Sequence, residues 1–170
     1  MFKIVDESVI KGDLFNAHEE LKVVTINTVG AMGRGIALST KVRWPEAYTI
    51  YRERYLSGAL SLTEVWDIKL EGVDPINIAM FPTKEHWRRP AHVPAILHNC
   101  GALKQLMING GYTSVAVPPL GMVNGWLRAD DTFRKIIMAL RSEFKDSELT
   151  ATLYCPSDIY THLKKIFSVS

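Results

Sequence analysis

Lys84 stands three residues past the apolar run INIAMF (Ile76–Phe81), in the segment FPTKEHWRRP (Phe81–Pro90). A lysine leaving a buried strand has two chemical uses. It holds a phosphate as a point charge or, with its amine neutral after desolvation or beside a cation such as Arg88, it attacks an electrophilic carbon. Residue type alone leaves both open. His86, next to Trp87, is the histidine with a functional context, since His18, His92, His98 and His162 read as helix-surface or loop residues with no metal-ligand spacing. Arg88 and Arg89 complete a basic and aromatic cluster of the kind that attracts phosphates.

Two glycine-bearing turns accompany the lysine. VGAMGRGIAL (Val29–Leu38) leaves the run VVTINT through Gly30, Gly33 and Gly35 and enters a short helix, so backbone N–H groups and a helix start can face an anion. The loop is neither Walker A nor Rossmann. Ile36-Ala37 stands where Lys-Ser or Lys-Thr is required, and no G-x-G-x-x-G occurs. PPLGMVNGWL (Pro118–Leu127) follows the run SVAV and adds Gly121, Asn124 and Gly125. Its Met122, Val123, Trp126 and Leu127 either wall a groove for a sugar or base or pack under a neighbouring helix. Asn27 is polar at the end of a buried run, which a satisfied side-chain bond or a ligand hydroxyl explains equally well.

The elements that must carry these loops alternate. Val23–Thr28, Val65–Leu70, Ile76–Phe81, Ser114–Val117 and Ala151–Tyr154 are short and rich in β-branched or aromatic residues, as buried strands are, with Phe2–Val5 and Val9–Lys11 as weaker candidates. Val93, Ile96, Leu97, Cys100, Leu103 and Leu106 recur at helical spacing, with Pro94 in the first turn and Asn109-Gly110-Gly111 as the stop. Phe133, Ile136, Ile137, Leu140 and Phe144 form a second stripe behind an Asp130 or Asp131 cap, and Ile159, Leu163, Ile166 and Phe167 a third behind Ser157. One α/β layer structure is expected, without linker or repeat.

Composition agrees. The 170 residues are 47% hydrophobic and 22% charged, enough apolar content for a core, which excludes disordered, collagenous and disulfide-scaffold classes. Unbroken apolar runs such as Ile136–Leu140 are far shorter than the roughly 18 residues a membrane span needs, and the start MFKIVDESVIKGD has no signal-peptide core, so a cytoplasmic protein is expected. Cys100 and Cys155 fit neither a disulfide framework nor zinc spacing and read as buried, reduced thiols. A net charge of +2 does not by itself argue for nucleic acid.

Taken with KGDLF (Lys11–Phe15), these residues resemble a macrodomain, the ADP-ribose-binding fold, and within it the branch of terminal ADP-ribose glycohydrolases and DarG-type DNA ADP-ribosyl glycohydrolases. The likeness runs through INTVGAMGRGIAL (Ile26–Leu38), WPEAY (Trp44–Tyr48), INIAMFPTKEHWR (Ile76–Arg88), VAVPPLGMVNGWL (Val115–Leu127) and TLYCP (Thr152–Pro156). It implies a single macrodomain over residues 1–170, three α/β/α layers around a mixed sheet, with ADP-ribose in a cleft over the strand ends.

By the same resemblance Asp13, with chain near Pro156, takes the adenine. Gly33, Arg34, Gly35 and Ile36 form the first phosphate loop, and Leu120 and Gly121 through Met122, Val123, Asn124, Gly125, Trp126 and Leu127 close over the diphosphate and distal ribose. Asn27 lies near that ribose, Lys84 is the catalytic lysine at its anomeric carbon, and His86 and Trp87 flank the leaving group. Leu14, Met32 and Thr83 are further binding candidates. No metal or cofactor is implied.

The implied activity is ADP-ribosyl glycohydrolysis, with DNA favoured as acceptor because Trp87 can stack on a base and Arg88 and Arg89 can hold a single-stranded backbone. The alternatives are phosphatase action on ADP-ribose 1″-phosphate and a reader that binds ADP-ribose without cleaving it. Where related glycohydrolases carry an aspartate in or after the second loop, this chain has Gly125 and Arg128, with Asp130 and Asp131 as the nearest acids. The loop also reads GMVNG where relatives often have GCGNG.

Overall fold

The computed structural model describes residues 1–121 and 131–167. Its six strands are β1 (Phe2–Asp6), β2 (Leu21–Asn27), β3 (Trp66–Leu70), β4 (Ile76–Lys84), β5 (Ser114–Val117) and β6 (Thr150–Cys155), arranged β1-β6-β5-β2-β4-β3. All neighbours pair in parallel except β3, which runs antiparallel to β4, so the sheet is mixed. Among the described residues the helices are α1 (Gly35–Arg43), α2 (Pro45–Leu56), α3 (Val93–Gly110), α4 (Asp131–Phe144) and α5 (Ser157–Ile166).

Period-two alternation sorts the strands' side chains into two cores. Val23, Ala79, Phe81, Val115 and Leu153 pack with Ile96 and Leu103 of α3, Ile136 and Leu140 of α4, and Ile159 of α5. Their strand neighbours Val24, Ile26, Ile78 and Met80 face the other way, onto Trp44 and onto Ala47 and Tyr51 of α2. A strand buried on both faces loses the hydrophobic-polar alternation of a half-exposed one, which is why the neighbours Val23 and Val24, on opposite faces of β2, are both apolar. The result is helix, sheet, helix. A third, smaller cluster joins Leu14 and Ala17 to Ala116 on β5 and Tyr154 on β6.

Capping explains several boundaries. In α3, His92 accepts the Ala95 N–H through its ring, Pro94 fits the first turn, and Gly111 closes the helix in the left-handed region at φ 72°. Three expectations need correction. Val9–Lys11 is no strand: Asp6 accepts the Ser8 N–H and starts a short 3-10 turn over Glu7–Val9, and Gly12 at φ 101° bends the chain away. Ser157 opens α5 but does not cap it, since its hydroxyl goes to Asp6 Oδ1 at 2.8 Å. β4 continues three residues beyond Phe81, through Pro82, Thr83 and Lys84. Both cysteines are free and buried, and burial pushes each thiol up to about 12. No described helix is long and apolar enough to cross a membrane.

Candidate active site

β5, β2 and β4 are adjacent and parallel, so their C-terminal ends open on one edge of the sheet. The three loops singled out above leave from those ends. They are stitched together: the Thr28 N–H donates to the Glu85 carbonyl at 3.1 Å, linking the first glycine turn to the lysine segment. At Gly121 a Cβ would come within 2.8 Å of Ala91 and 3.2 Å of Ile96, so the start of the second glycine turn packs against the end of that same segment. Gly121 also has φ 67°, where only glycine sits without strain.

Asn27 organises the first turn. Its Nδ2 donates to the Ala31 carbonyl at 2.9 Å, and its Oδ1 accepts the Val29 and Ala31 N–H groups, each at 3.2 Å. Of the two explanations for a polar residue there, the satisfied side-chain bond is the one present. The glycines divide in the same way. Gly30, at φ 74°, is pressed on α2, where a Cβ would meet Tyr55 and Arg52, and Arg52 donates to its carbonyl at 3.0 Å. At Gly33 and Gly35 a Cβ would meet no described residue within 4 Å. Between them Arg34 is the N-cap of α1 and makes no side-chain cap bond, so among the described residues no side chain caps the first-turn N–H groups, which lie at the positive end of the helix dipole where an anion is received.

Burial separates the candidates that can touch a ligand by side chain from those that cannot. Met32 is 2% exposed and packs in the α2-side core, so Met32 offers a ligand only backbone. Leu14, Thr83 and Leu120 are likewise buried. Ile36 is half-buried and packs against both the second and the third cluster. Asp13 is exposed and its Oδ1 accepts the Phe15 N–H at 3.0 Å, capping the short turn Leu14–Asn16. Pro156 is half-buried directly after β6.

Lys84 is half-buried and stands opposite Asn27 in the ladder, one inter-strand spacing of about 4.8 Å away. The segment it opens returns to the strand, because the His92 N–H donates to the Thr83 carbonyl at 2.6 Å. At its tip His86 stacks on Trp87 with ring centroids 5.1 Å apart, and the Arg88 guanidinium lies 4.5 Å from the Trp87 ring. Trp87 remains 46% exposed. Met122, Val123, Asn124, Gly125, Trp126 and Leu127, with Arg128 and Asp130, lie outside the described residues. Among the described residues no group of three or more His, Cys, Asp or Glu is placed to hold a metal ion.

Two residues that hold the site carry no motif. Tyr51 on α2 donates to the Asn27 carbonyl at 2.6 Å and lies 2.9 Å from its Oδ1. Asn99 on α3 donates to the Pro82 carbonyl at 3.0 Å. A signal for the second existed in Pro82, since proline within a buried strand marks a bulge.

No family model matches the chain. A curated protein of Mycobacterium tuberculosis named DNA ADP-ribosyl glycohydrolase is 36% identical over 147 residues, covering 86% of this chain and 41% of that protein. The chain therefore spans about two fifths of the length of the curated relatives it matches. Among solved structures, the macrodomain of Mycobacterium tuberculosis DarG superposes with a TM-score of 0.76 at 34% identity, covering 92% of this chain and 100% of that one. The macrodomain of Thermus aquaticus DarG gives 0.76 at 30% identity, covering 92% and 99%.

Proposed function

We propose a function for this chain from one premise: it belongs to the macrodomain family, in the branch of the DarG macrodomains. It is an ADP-ribosyl glycohydrolase. The N–H groups at the start of α1 and the backbone at Gly33 and Gly35 hold the diphosphate, and Asp13 and the chain at Pro156 serve the adenine. The distal ribose lies toward Asn27 and Lys84. The Lys84 amine captures the anomeric carbon while the bond from that carbon to the acceptor breaks, its nitrogen passing a proton to the departing acceptor; water then displaces the amine. The observation that carries this reading is the register that sets Lys84 opposite Asn27, at the exit of the strand from which the phosphate turn departs.

The acceptor is a base in single-stranded DNA. The exposed Trp87 offers a stacking surface, and Arg88 and Arg89 supply charge for the backbone. The name of the curated relatives, DNA ADP-ribosyl glycohydrolase, supports the same substrate. A second reading, a reader that binds without cleaving, draws on Gly125 and Arg128 standing where related glycohydrolases have an aspartate.

One experiment separates them. The purified chain is offered ADP-ribosylated single-stranded DNA, ADP-ribosylated protein and ADP-ribose 1″-phosphate, and products are identified by mass. Release of ADP-ribose from the DNA is expected, with affinity for that DNA falling as salt rises. Lys84→Ala is expected to bind free ADP-ribose within about tenfold of wild type, or 1.4 kcal/mol, and to release none. Turnover on no substrate would establish the reader, and phosphate release from the third substrate alone a phosphatase.

A further inference from the structure

The strand that delivers Lys84 is irregular at one place. Thr25 pairs with Phe81 and Ile26 with Pro82, but the next residue, Asn27, pairs with Lys84, and Thr83 has no counterpart on β2. An unbroken ladder would set Thr83 against Asn27 and carry Lys84 on to Thr28. Side chains alternate along a strand, so this single extra residue decides both how far along the edge the amine sits and which face of the sheet it serves.

A bulge gives up ladder bonds, so its carbonyls need partners from elsewhere. Thr83 receives the backbone N–H of His92 at 2.6 Å. Pro82 receives Nδ2 of Asn99, which also donates to the Leu62 carbonyl, both at 3.0 Å. Two carbonyl oxygens facing the amide leave only one orientation for its NH2 group. Asn99 is fully buried in the middle of α3, and its Oδ1 has no partner among the described residues. An unpaired buried amide oxygen is costly, and an apolar side chain of the same size would pack between α3 and β4 without that cost. The two donors are what this position supplies.

We propose that Asn99 is a positioning residue for Lys84: by holding the Pro82 carbonyl, while the His92 backbone holds that of Thr83, it sustains the bulge that sets Lys84 beside Asn27. This rests on Lys84 acting at the anomeric carbon, as proposed above. Asn99 belongs to α3, outside every motif of the ligand cleft, and acts on the reaction only through β4.

The test uses the whole chain in four variants, read by ADP-ribose affinity, thermal midpoint and single-turnover release from an ADP-ribosylated oligonucleotide. Asn99→Leu keeps the branching at Cγ and removes both donors. His92→Pro removes the other clamp, and with it the ring that caps α3, at an exposed position whose φ of −89° is near proline's range. Both are expected to bind ADP-ribose within threefold of wild type and to lose at least tenfold in the single-turnover rate. Leu103→Ala, a buried truncation on the same helix, lowers the midpoint and leaves the rate unchanged. Lys84→Ala abolishes release.

A folded Asn99→Leu protein with the wild-type rate overturns the proposal. So does one whose rate and affinity fall by the same factor, the signature of general loosening. If Asn99→Leu does not fold, His92→Pro decides by the same criteria. Should Lys84→Ala keep releasing ADP-ribose, the assignment of the lysine has failed and this inference with it; normal release by the clamp variants beside an inactive Lys84→Ala overturns the clamp alone.

Discussion

Gly33 and Gly35 are two residues apart and answer to different constraints. Gly35 has φ 55° at the start of α1, so any other residue there carries the left-handed penalty of about 1–2 kcal/mol. Gly33 has no such dihedral, and a Cβ built on it meets no described residue within 4 Å. No described residue therefore requires glycine at 33, whereas a ligand lying on that backbone would. Gly33→Val is expected to keep its stability within about 0.5 kcal/mol and to weaken ADP-ribose binding by about a hundredfold or more, near 2.8 kcal/mol. Gly35→Ala is expected to lower stability measurably. Urea unfolding and calorimetric titration of both variants check this, and equal destabilisation by the two would contradict it. The types and spacing of these glycines are visible in the sequence, whereas their division of labour with Gly30, which is pressed on Tyr55 and Arg52, is not.

Among the elements, α2 holds the first glycine turn in place. Tyr51 reaches Asn27 and Arg52 reaches the Gly30 carbonyl, so one helical turn holds both ends of the Asn27–Ala31 corner. Burial raises the Tyr51 hydroxyl well above the ordinary tyrosine value, which keeps it a donor. Tyr51→Phe leaves the buried Asn27 carbonyl without that donor and should cost about 1–3 kcal/mol, read as a lower urea midpoint with an unchanged slope. A midpoint equal to wild type would mean that the corner stands without the helix. The long helix α3 is legible because six apolar residues recur along it from Val93 to Leu106, with Pro94 in the first turn and Gly111 as the stop. In α2 only Ala47 and Tyr51 are buried, too few to print a stripe, and Pro45 at its first turn is the clearest local sign of it. β4 is likewise cut short in a reading of its apolar run, because its last residues, Pro82, Thr83 and Lys84, break the apolar pattern, and Pro82 and Lys84 belong to the strand through pairing with Ile26 and Asn27 of β2.

Across the whole molecule, three carboxylates join parts distant in sequence. Asp6 accepts from Ser8 and Ser157, Glu20 from Thr113, and Asp74 from Arg43, and these donors hold each carboxyl below its ordinary value. A lowered native value means that the unfolded chain binds protons first. The stability these contacts add is present above the ordinary carboxylate range near 4, declines as pH falls through it, and is gone below the lowered native values. The thermal midpoint is expected to fall between about pH 5 and pH 2.5, and Asp6→Asn to flatten part of that decline; an identical acid limb in the variant would refute the assignment. Residue pattern by itself determined the α/β class, most strand positions, the α3 stripe and the three loops that leave the strand ends, since periodicity and backbone tolerance are local properties. Only the tertiary structure decided that β5, β2 and β4 lie side by side, that Met32 turns inward, that Asn27 serves its own loop, and that a bulge sets the place of Lys84. Each of these depends on hydrogen bonds and packing between residues far apart in the chain, which no window along it contains.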